Sequence, residues 1–389
     1  MFTWQLLLNR SAATTSDGTK EASPHRIVMR SYFRVEIVPY GQPAHFHDVA
    51  ELRARGIPLP HDYVSSPLGD PSSDWIWLRV LDANGALSSG FAMEIGASLA
   101  LPGTLIGRVD RVGRRLHEPV LPQLGGVLAS AARAIPRLQR LDIRLFDEDS
   151  GHRAVAEASI CACGGVRAER HGLYTRTVAV ELVRSADGYW QSMKNQARYK
   201  LRRVLRAGVA EIRPIIGYRF IPRMQALYEQ ALERTGGSAA RLDFGRLAEV
   251  SAGNPDALLI GVFLRNRPPP NDLVAFALGH FHGDHGSYEI GASDRAHELR
   301  QVPMGYLLIN ELLGWVQHLG GGWFDMGGVP NEEALRVGPL RGIVRFKHQF
   351  SRREIDIASE LTLVVRPGLA LAADTVRAVA TLVGLRKSR

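Results

Sequence analysis

Asp74-Trp-Ile-Trp-Leu-Arg-Val80 reads as a β-strand, dense in aromatic and β-branched residues. Asp82-Ala-Asn84-Gly85 follows it. Asn-Gly is the strongest short hairpin signal, and a two-residue turn there needs φ > 0 at both central positions. A second strand then returns over Ala86–Ile95, and Leu105–Val109 reads as a third. A helix is expected over Leu121–Leu138, with a break near Pro136. A short strand is expected over Leu141–Phe146. The same order recurs later. Ala257–Phe263, Leu273–Phe281 and Ser287–Ala292 read as strands, with a loop set by Pro268, Pro269 and Pro270 between the first two. Pro303–Leu319 is a helix apolar almost all round, and therefore buried. Trp323–Met326 is a strand that stops at Gly327-Gly328.

Strand–turn–strand–helix–strand thus occurs twice, near residues 74–146 and 257–326, and each half ends in a further strand, near 174–182 and 355–365. Between these lie a helix over Arg153–Cys163, stopped by Gly164-Gly165, and a helical insert over 185–254. This element order predicts an α+β fold of two tandem lobes, each a mixed, mostly antiparallel sheet flanked by helices. The expected division is a flexible arm over 1–26, a first lobe over 27–184 and a second over 185–367. The second lobe includes a basic linker helix over 185–208. A helix with a basic tail is expected over 368–389.

The chain has 389 residues, enough for two or three domains. Its 45% apolar and 22% charged content excludes a wholly disordered chain. Two cysteines, Cys161 and Cys163, are too few for a disulfide scaffold or a zinc ribbon, and they suit a reducing compartment. No stretch approaches the apolar run of about 20 residues that spans a bilayer. The N-terminal stretch lacks a basic start followed by a long apolar core, so no signal peptide is expected, and a cytoplasmic protein is. The net charge of +9 favours polyanionic partners: RNA, anionic membrane or phosphate-bearing substrates.

That charge is concentrated. Trp190, Met193, Ala197, Leu201 and Val204 recur at helical spacing after Ser185, a candidate N-cap, and Gly208 is a candidate stop. Between Lys194 and Arg206 lie six basic residues and no acidic one. Lys194, Arg198 and Arg202 form an i, i+4 row, flanked by Lys200, Arg203 and Arg206. Such a row is self-repelling, which favours a phosphate-facing surface over a merely solvated face. Asp325 lies on a strand ending in Gly327-Gly328, where glycines allow close backbone approach to a ligand. Lys347 lies between Phe346 and Phe350, where its charge can stabilise an oxyanion or a phosphate. His280, His282, His285 and Asp284 cluster at a hairpin tip, read as solvated polar residues in preference to a metal site. There is no nucleophile elbow and no phosphate-binding Walker loop.

Four stretches, in order, resemble the Fem family of aminoacyltransferases within the GNAT N-acyltransferase superfamily. They are Asp187-Gly-Tyr-Trp-Gln-Ser-Met-Lys-Asn-Gln-Ala-Arg198-Tyr-Lys-Leu-Arg202-Arg203, Leu227-Tyr-Glu-Gln-Ala-Leu-Glu-Arg-Thr-Gly-Gly237, Phe324-Asp325-Met-Gly327-Gly328-Val and Arg345-Phe346-Lys347-His-Gln-Phe350. The likeness spans about residues 30–366. It implies transfer of an aminoacyl or acyl group from an activated donor to an amine of a cell-envelope precursor or metabolite. It further implies Lys347 as electrostatic stabiliser, Asp325 as orienter of the acceptor amine, and Arg198, Arg202 and Arg203 as phosphate holders. Phe346, Phe350, Gly327 and Gly328 would line the substrate site, and Gly305 and Tyr306 would meet the donor. The donor is a co-substrate, aminoacyl-tRNA or acyl-CoA, with no resident cofactor or metal. The pyrophosphate turn of acetyl-CoA enzymes corresponds to Arg300-Gln301-Val-Pro303-Met-Gly305-Tyr306-Leu307. Only Gly305 is kept there, which favours a non-CoA donor. The long charged helical arm of some bridge-forming members is missing. The rival reading is a non-catalytic pair of lobes that binds RNA or an anionic membrane, the latter through Arg386-Lys387-Ser-Arg389 at the inner membrane face.

Overall fold

In each of two sheets a single parallel pair of strands interrupts an otherwise antiparallel array. The computed structural model describes residues 33–55, 74–113, 119–168, 175–182, 188–235, 242–296, 302–329 and 341–382. The first sheet contains β1 (Arg34–Pro39), β2 (Asp74–Leu81), β3 (Leu87–Ala97), β4 (Leu105–Gly113), β5 (Leu138–Phe146) and β6 (Gly165–Arg167). Its helices are α1 (Pro43–Ala54), α2 (Leu124–Ala134) and α3 (Ser150–Ala162). The chain continues through β7 (Arg176–Glu181), α4 (Asn195–Ala207), β8 (Ala210–Pro214), α5 (Ile221–Thr235) and α6 (Phe244–Gly253). Next come β9 (Ala257–Leu264), β10 (Leu273–Phe281), β11 (His285–Ser293), α7 (Met304–His318), β12 (Trp323–Val329) and α8 (Arg341–Lys347). It ends with β13 (Glu354–Asp356), β14 (Ala358–Val364) and α9 (Pro367–Leu382).

The sheet orders are β1-β2-β3-β4-β5-β14-β6 and β8-β9-β10-β11-β12-β7-β13. They match position for position, with the parallel pair at β4/β5 in one and β11/β12 in the other. The expected α+β fold of two mostly antiparallel lobes is what the chain adopts. The sixth strand of each sheet, however, comes from the opposite stretch of chain. β7 pairs with β12, and β14 pairs with β5. The expected single strand over Ile355–Val365 is therefore two strands in two sheets. Ile357 lies at the crossing, fully buried with Phe146, Ala179 and Trp323. Its N–H donates to Thr175 O (2.8 Å) and its carbonyl accepts from Asp147 N–H (2.8 Å). The exchange draws both sheets into one unit.

Most expected elements form close to their expected bounds, because apolar period and turn residues agree. Three local expectations change. The strand expected to stop at Gly327-Gly328 runs through them to Val329, because Gly328 and Val329 still pair with Thr177 and Arg176 of β7. The Asn84-Gly85 turn has φ > 0 at Gly85 alone (+82°). Asp82 Oδ1 accepts from the N–H groups of Asn84 (2.8 Å) and Ala86 (2.9 Å), so a side chain closes a wider turn. The expected linker helix over 185–208 is a 3₁₀ turn at Gly188–Trp190 followed by α4. Between them the Ser192 hydroxyl reaches Phe350 O (2.9 Å) and Lys194 N–H donates to Gln349 O (2.9 Å). These bonds to the 349–350 turn hold the backbone out of helix, while Met193 is buried. Gly208 ends α4 in the left-handed region (φ +63°), as expected. Ser185, Asp187, Tyr174, Gly236, Gly237, Arg300, Gln301, the arm over 1–26 and the basic tail lie outside the described residues.

The second lobe has two cores. Leu307, Leu308, Leu312, Leu313 and Val316 of α7 pack with Phe324 and Met326 on one sheet face. Met224 and Leu227 of α5 and Phe244 and Leu247 of α6 pack with Phe276, Leu278 and Ile290 on the other. No helix among the described residues is long and apolar enough to cross a membrane.

Candidate active site

The two parallel pairs differ in one respect. β4 and β5 pair along their length, from Leu105↔Leu138 to Gly113↔Phe146, with two register shifts. β11 and β12 pair only at His285↔Trp323, Gly286↔Phe324 and Ser287↔Asp325, and beyond that they part. The gap exposes backbone polar groups that must find other partners. The counterpart of α7 in the first lobe is also closed off. Gly125, at the start of α2, is pressed against the Ser159 backbone and donates its N–H to Ser159 Oγ (3.0 Å).

Lys347, the last residue of α8, fills the gap in the second sheet. Its Nζ donates to Gly328 O (2.7 Å), and the position a Cβ would take at Gly327 lies 3.4 Å from Nζ and 3.6 Å from Tyr288 O. Gly327 has φ +79°, a conformation that suits glycine. Lys347 is 8% exposed. Burial lowers its ammonium pKa to about 8, while the charge of Asp325 opposes the shift. Asp325 is fully buried; Oδ1 accepts from Gly327 N–H (2.7 Å) and from the Thr177 hydroxyl. Thr177 Oγ1 also lies 2.9 Å from Gly327 O. Thr177, on the exchanged strand β7, carries no distinguishing sequence signal. Burial of the Tyr288 hydroxyl end, over Gly291, pushes its phenol up to about 12.

Phe346, Phe350 and Tyr306 form an aromatic triad with ring centroids 5.1–5.4 Å apart. The Phe346 ring lies 3.2 Å from the position of a Cβ at Gly305. At the start of α7 the N–H of Met304 bonds Val302 O (2.9 Å), and those of Tyr306 and Leu307 bond Pro303 O (2.9 and 3.3 Å). A helix N-terminus binds phosphate through free amides; here those of Met304 and Tyr306 are engaged within the turn, and the Phe346 ring packs over Gly305. Gly305 and Tyr306 are thus brought to the site, but as packing against Phe346.

Arg198, Arg202, Arg203 and Arg206 share a cleft of about 690 Å³ with Asn195 and Tyr199. Lys200 Nζ stands 5.2 Å over the Tyr306 ring, and Arg202 lies 6.0 Å over Trp190. Lys200, which packs over Tyr306, does not itself line the cleft.

The hairpin after β10 departs from expectation. His280, His282 and His285 are buried, at 0%, 6% and 1% exposure, not solvated. His285 stacks on Trp323 (4.6 Å, 8°) and lies 6.4 Å from the Phe146 ring, so the joint between the sheets covers the tip. No group of side chains among the described residues could hold a metal ion.

The chain has the fold of FemX. That solved structure covers 79% of this chain and 91% of its own length at TM-score 0.62, with 14% identity. Two further solved structures align over most of the chain with TM-scores below 0.5, so the fold assignment rests on FemX. They are L-PGS from Bacillus licheniformis (13% identity; 89% of this chain, 97% of that one; TM-score 0.47) and a tandem GNAT protein from the clavulanic acid biosynthesis pathway (17%; 86% and 99%; 0.44). No family model matches the sequence, and no curated protein matches it. The Fem-like resemblance of the motifs is thus met by a FemX-like fold.

Proposed function

We propose that the protein is an N-acyltransferase of the GNAT/Fem type, moving an aminoacyl or acyl group from an activated donor to an amine. The observation that carries this reading is Lys347, buried in the gap between β11 and β12. A donor carbonyl entering the gap would replace Gly328 O as the partner of Nζ. At pH 7 a lysine with a pKa near 8 is mostly ammonium, placed to stabilise the oxyanion formed when the amine attacks. Asp325 holds the Gly327 amide and keeps positive charge on Lys347. It is a positioning residue here, since its buried carboxylate is turned to Thr177 and Gly327 rather than outward.

Aminoacyl-tRNA is the favoured donor. The engaged Met304 and Tyr306 amides and the Phe346 ring over Gly305 disfavour a CoA pyrophosphate at the start of α7, and the arginine cleft on α4 suits a polyphosphate chain. The alternative is an acyl-CoA-dependent enzyme that holds its pyrophosphate elsewhere. Titration with acetyl-CoA and, in parallel, with charged and uncharged tRNA at fixed salt separates the two. Tighter binding of charged than uncharged tRNA supports the first. Saturable acetyl-CoA binding, indifferent to RNA, replaces it with the second. Binding of RNA or anionic vesicles without acyl transfer from either donor favours a non-catalytic protein.

A further inference from the structure

α9 packs on the first lobe with its smaller side. Ala373 is fully buried, and Leu369 and Ala370 beside it are half-buried. Leu371, Val376 and Val379 point outward, at 69%, 44% and 52% exposure. A surface helix ordinarily does the reverse, with large apolar residues against the core and polar ones in water. The one acid on α9, Asp374, is paired with Arg377 (2.5 Å). The ground beside the start of this helix is basic. At the β14–α9 junction the Val365 and Arg366 N–H groups donate to Gln139 O (2.9 and 3.1 Å). The Arg366 guanidinium donates to Leu138 O (2.8 Å) and Arg133 O (3.4 Å). The junction therefore rests on the 133–139 connection between α2 and β5, where Arg133 and Arg137 are exposed. Arg137 holds φ +60°, a conformation that glycine adopts freely and an arginine does not. A strained position is thus occupied by a long cation. The sequence after α9, Val383-Gly-Leu-Arg386-Lys387-Ser-Arg389, adds three cations and no acid.

We propose that α9 docks the protein on an anionic lipid surface, its outward Leu371, Val376 and Val379 entering the headgroup layer while Arg133, Arg137 and the basic residues after the helix meet lipid phosphates. Apolar side chains set among cations match a boundary where acyl chains and phosphates lie close together. Neither part is strong alone: three aliphatic side chains bury little area, and each cation adds a modest attraction that salt screens. Together they give reversible attachment. A second copy packed on this face about a two-fold axis would set the same cations against each other. RNA would offer phosphates but no apolar layer for the outward face of α9. The surface belongs to the first lobe and uses none of the residues assigned to acyl transfer or to the arginine cleft on α4.

The test is co-sedimentation of the full chain with vesicles, read without donor or acceptor, so it can fail while acyl transfer stands and stand while acyl transfer fails. Vesicles of phosphatidylcholine alone are compared with vesicles of phosphatidylcholine and phosphatidylglycerol in equal parts, across a salt series. Binding should need phosphatidylglycerol and weaken as salt rises. Leu371→Gln with Val379→Gln keeps the charge and the helix-forming tendency but removes outward apolar area, and should weaken binding about tenfold. Arg137→Gly should weaken it about fivefold without lowering the melting temperature, since glycine relieves the strain at φ +60°; a variant that had merely lost its fold would show both losses. Arg386→Ser, Lys387→Ser and Arg389→Ser should each weaken it by a similar factor. Equal binding to neutral and anionic vesicles overturns the docking surface, as does binding untouched by the glutamine pair. Absence of vesicle binding overturns it too. If in that case the wild type sediments as a dimer and the glutamine pair as a monomer, the face belongs to a second copy of the chain.

Discussion

The ammonium nitrogen of Lys347 lies 2.7 Å from the carbonyl oxygen of Gly328, inside the gap where β11 and β12 part. One charged group thus occupies the place where two parallel strands leave backbone groups without ladder partners. If that charge meets a developing oxyanion, Lys347→Ala should lower kcat by about 10²–10³-fold. The aromatic triad and the α7 core do not depend on the ammonium, so circular dichroism and the melting profile should show an intact fold. Unchanged turnover in a folded variant would remove Lys347 from the mechanism.

The lowered pKa also makes a statement about stability. Free lysine titrates at 10.5 and Lys347 at about 8, so between these values the unfolded chain binds more protons than the folded one. Stability contributed by this site therefore rises with pH from about 8 to about 10.5, and below 8 the buried charge is a standing penalty of about 3 kcal/mol. Denaturant unfolding at pH 7.5, 9 and 10.5 should show that rise, with Lys347→Met losing most of it. Parallel pH profiles for the two proteins would contradict the assignment.

Asp325 acts on the same group from the other side. Its charge raises the Lys347 pKa against the burial that lowers it. Asp325→Asn should therefore move the Lys347 midpoint below 8. Where catalysis needs the ammonium, the falling alkaline limb of kcat should move to lower pH by the same amount. Thr177→Val keeps the charge and removes the hydroxyl that holds it, so its effect on the midpoint should be smaller. The pH–rate profiles of the three proteins compare these directly.

Gly327 ties backbone conformation to the site. At φ +79° an alanine is strained by about 1–2 kcal/mol, and its Cβ would stand 3.4 Å from the Lys347 ammonium. Gly327→Ala should lower stability by about that amount and also lower kcat. Gly320→Ala, at φ +88° with no neighbour within 4 Å, should match the stability loss and leave kcat near wild type. Equal kcat for the two variants would show that Gly327 serves only the turn.

Where local pattern and tertiary packing agree, the sequence was sufficient. The near-continuous apolar runs Ala257–Phe263 and Leu273–Phe281 and the buried helix after Pro303 needed no knowledge of the fold. Lys347, Asp325 and the arginine row could be marked because each sits in an unusual local setting: between aromatics, before two glycines, or without an acid nearby. What stayed hidden depends on partners distant in sequence. Nothing in Ile355–Val365 announces that Ile357 is a crossing between sheets, because both flanking segments are good strands. The histidines after β10 read as solvated until Phe146 and Trp323 cover them. Trp190 and Met193 fit the helical period because they are inward-facing, although bonds to residues 349 and 350 keep them out of the helix.

The arginine cleft on α4 yields the last prediction. Arg198, Arg202, Arg203 and Arg206 converge there with no acidic residue on the helix. Like charges so gathered repel, and a bound polyanion relieves that repulsion by releasing its own counterions. Arg198→Glu and Arg202→Glu together should weaken RNA binding and flatten its logarithmic salt dependence by about 1 for each phosphate no longer neutralised. If the cleft holds the donor body while Lys347 meets its reactive end, the kcat of donor already bound should change little. Filter binding across a salt series, with single-turnover transfer at saturating donor, separates the two effects. An unchanged salt slope would mean that the arginines face only solvent; a flattened slope with unchanged transfer would place the donor's phosphates on this helix.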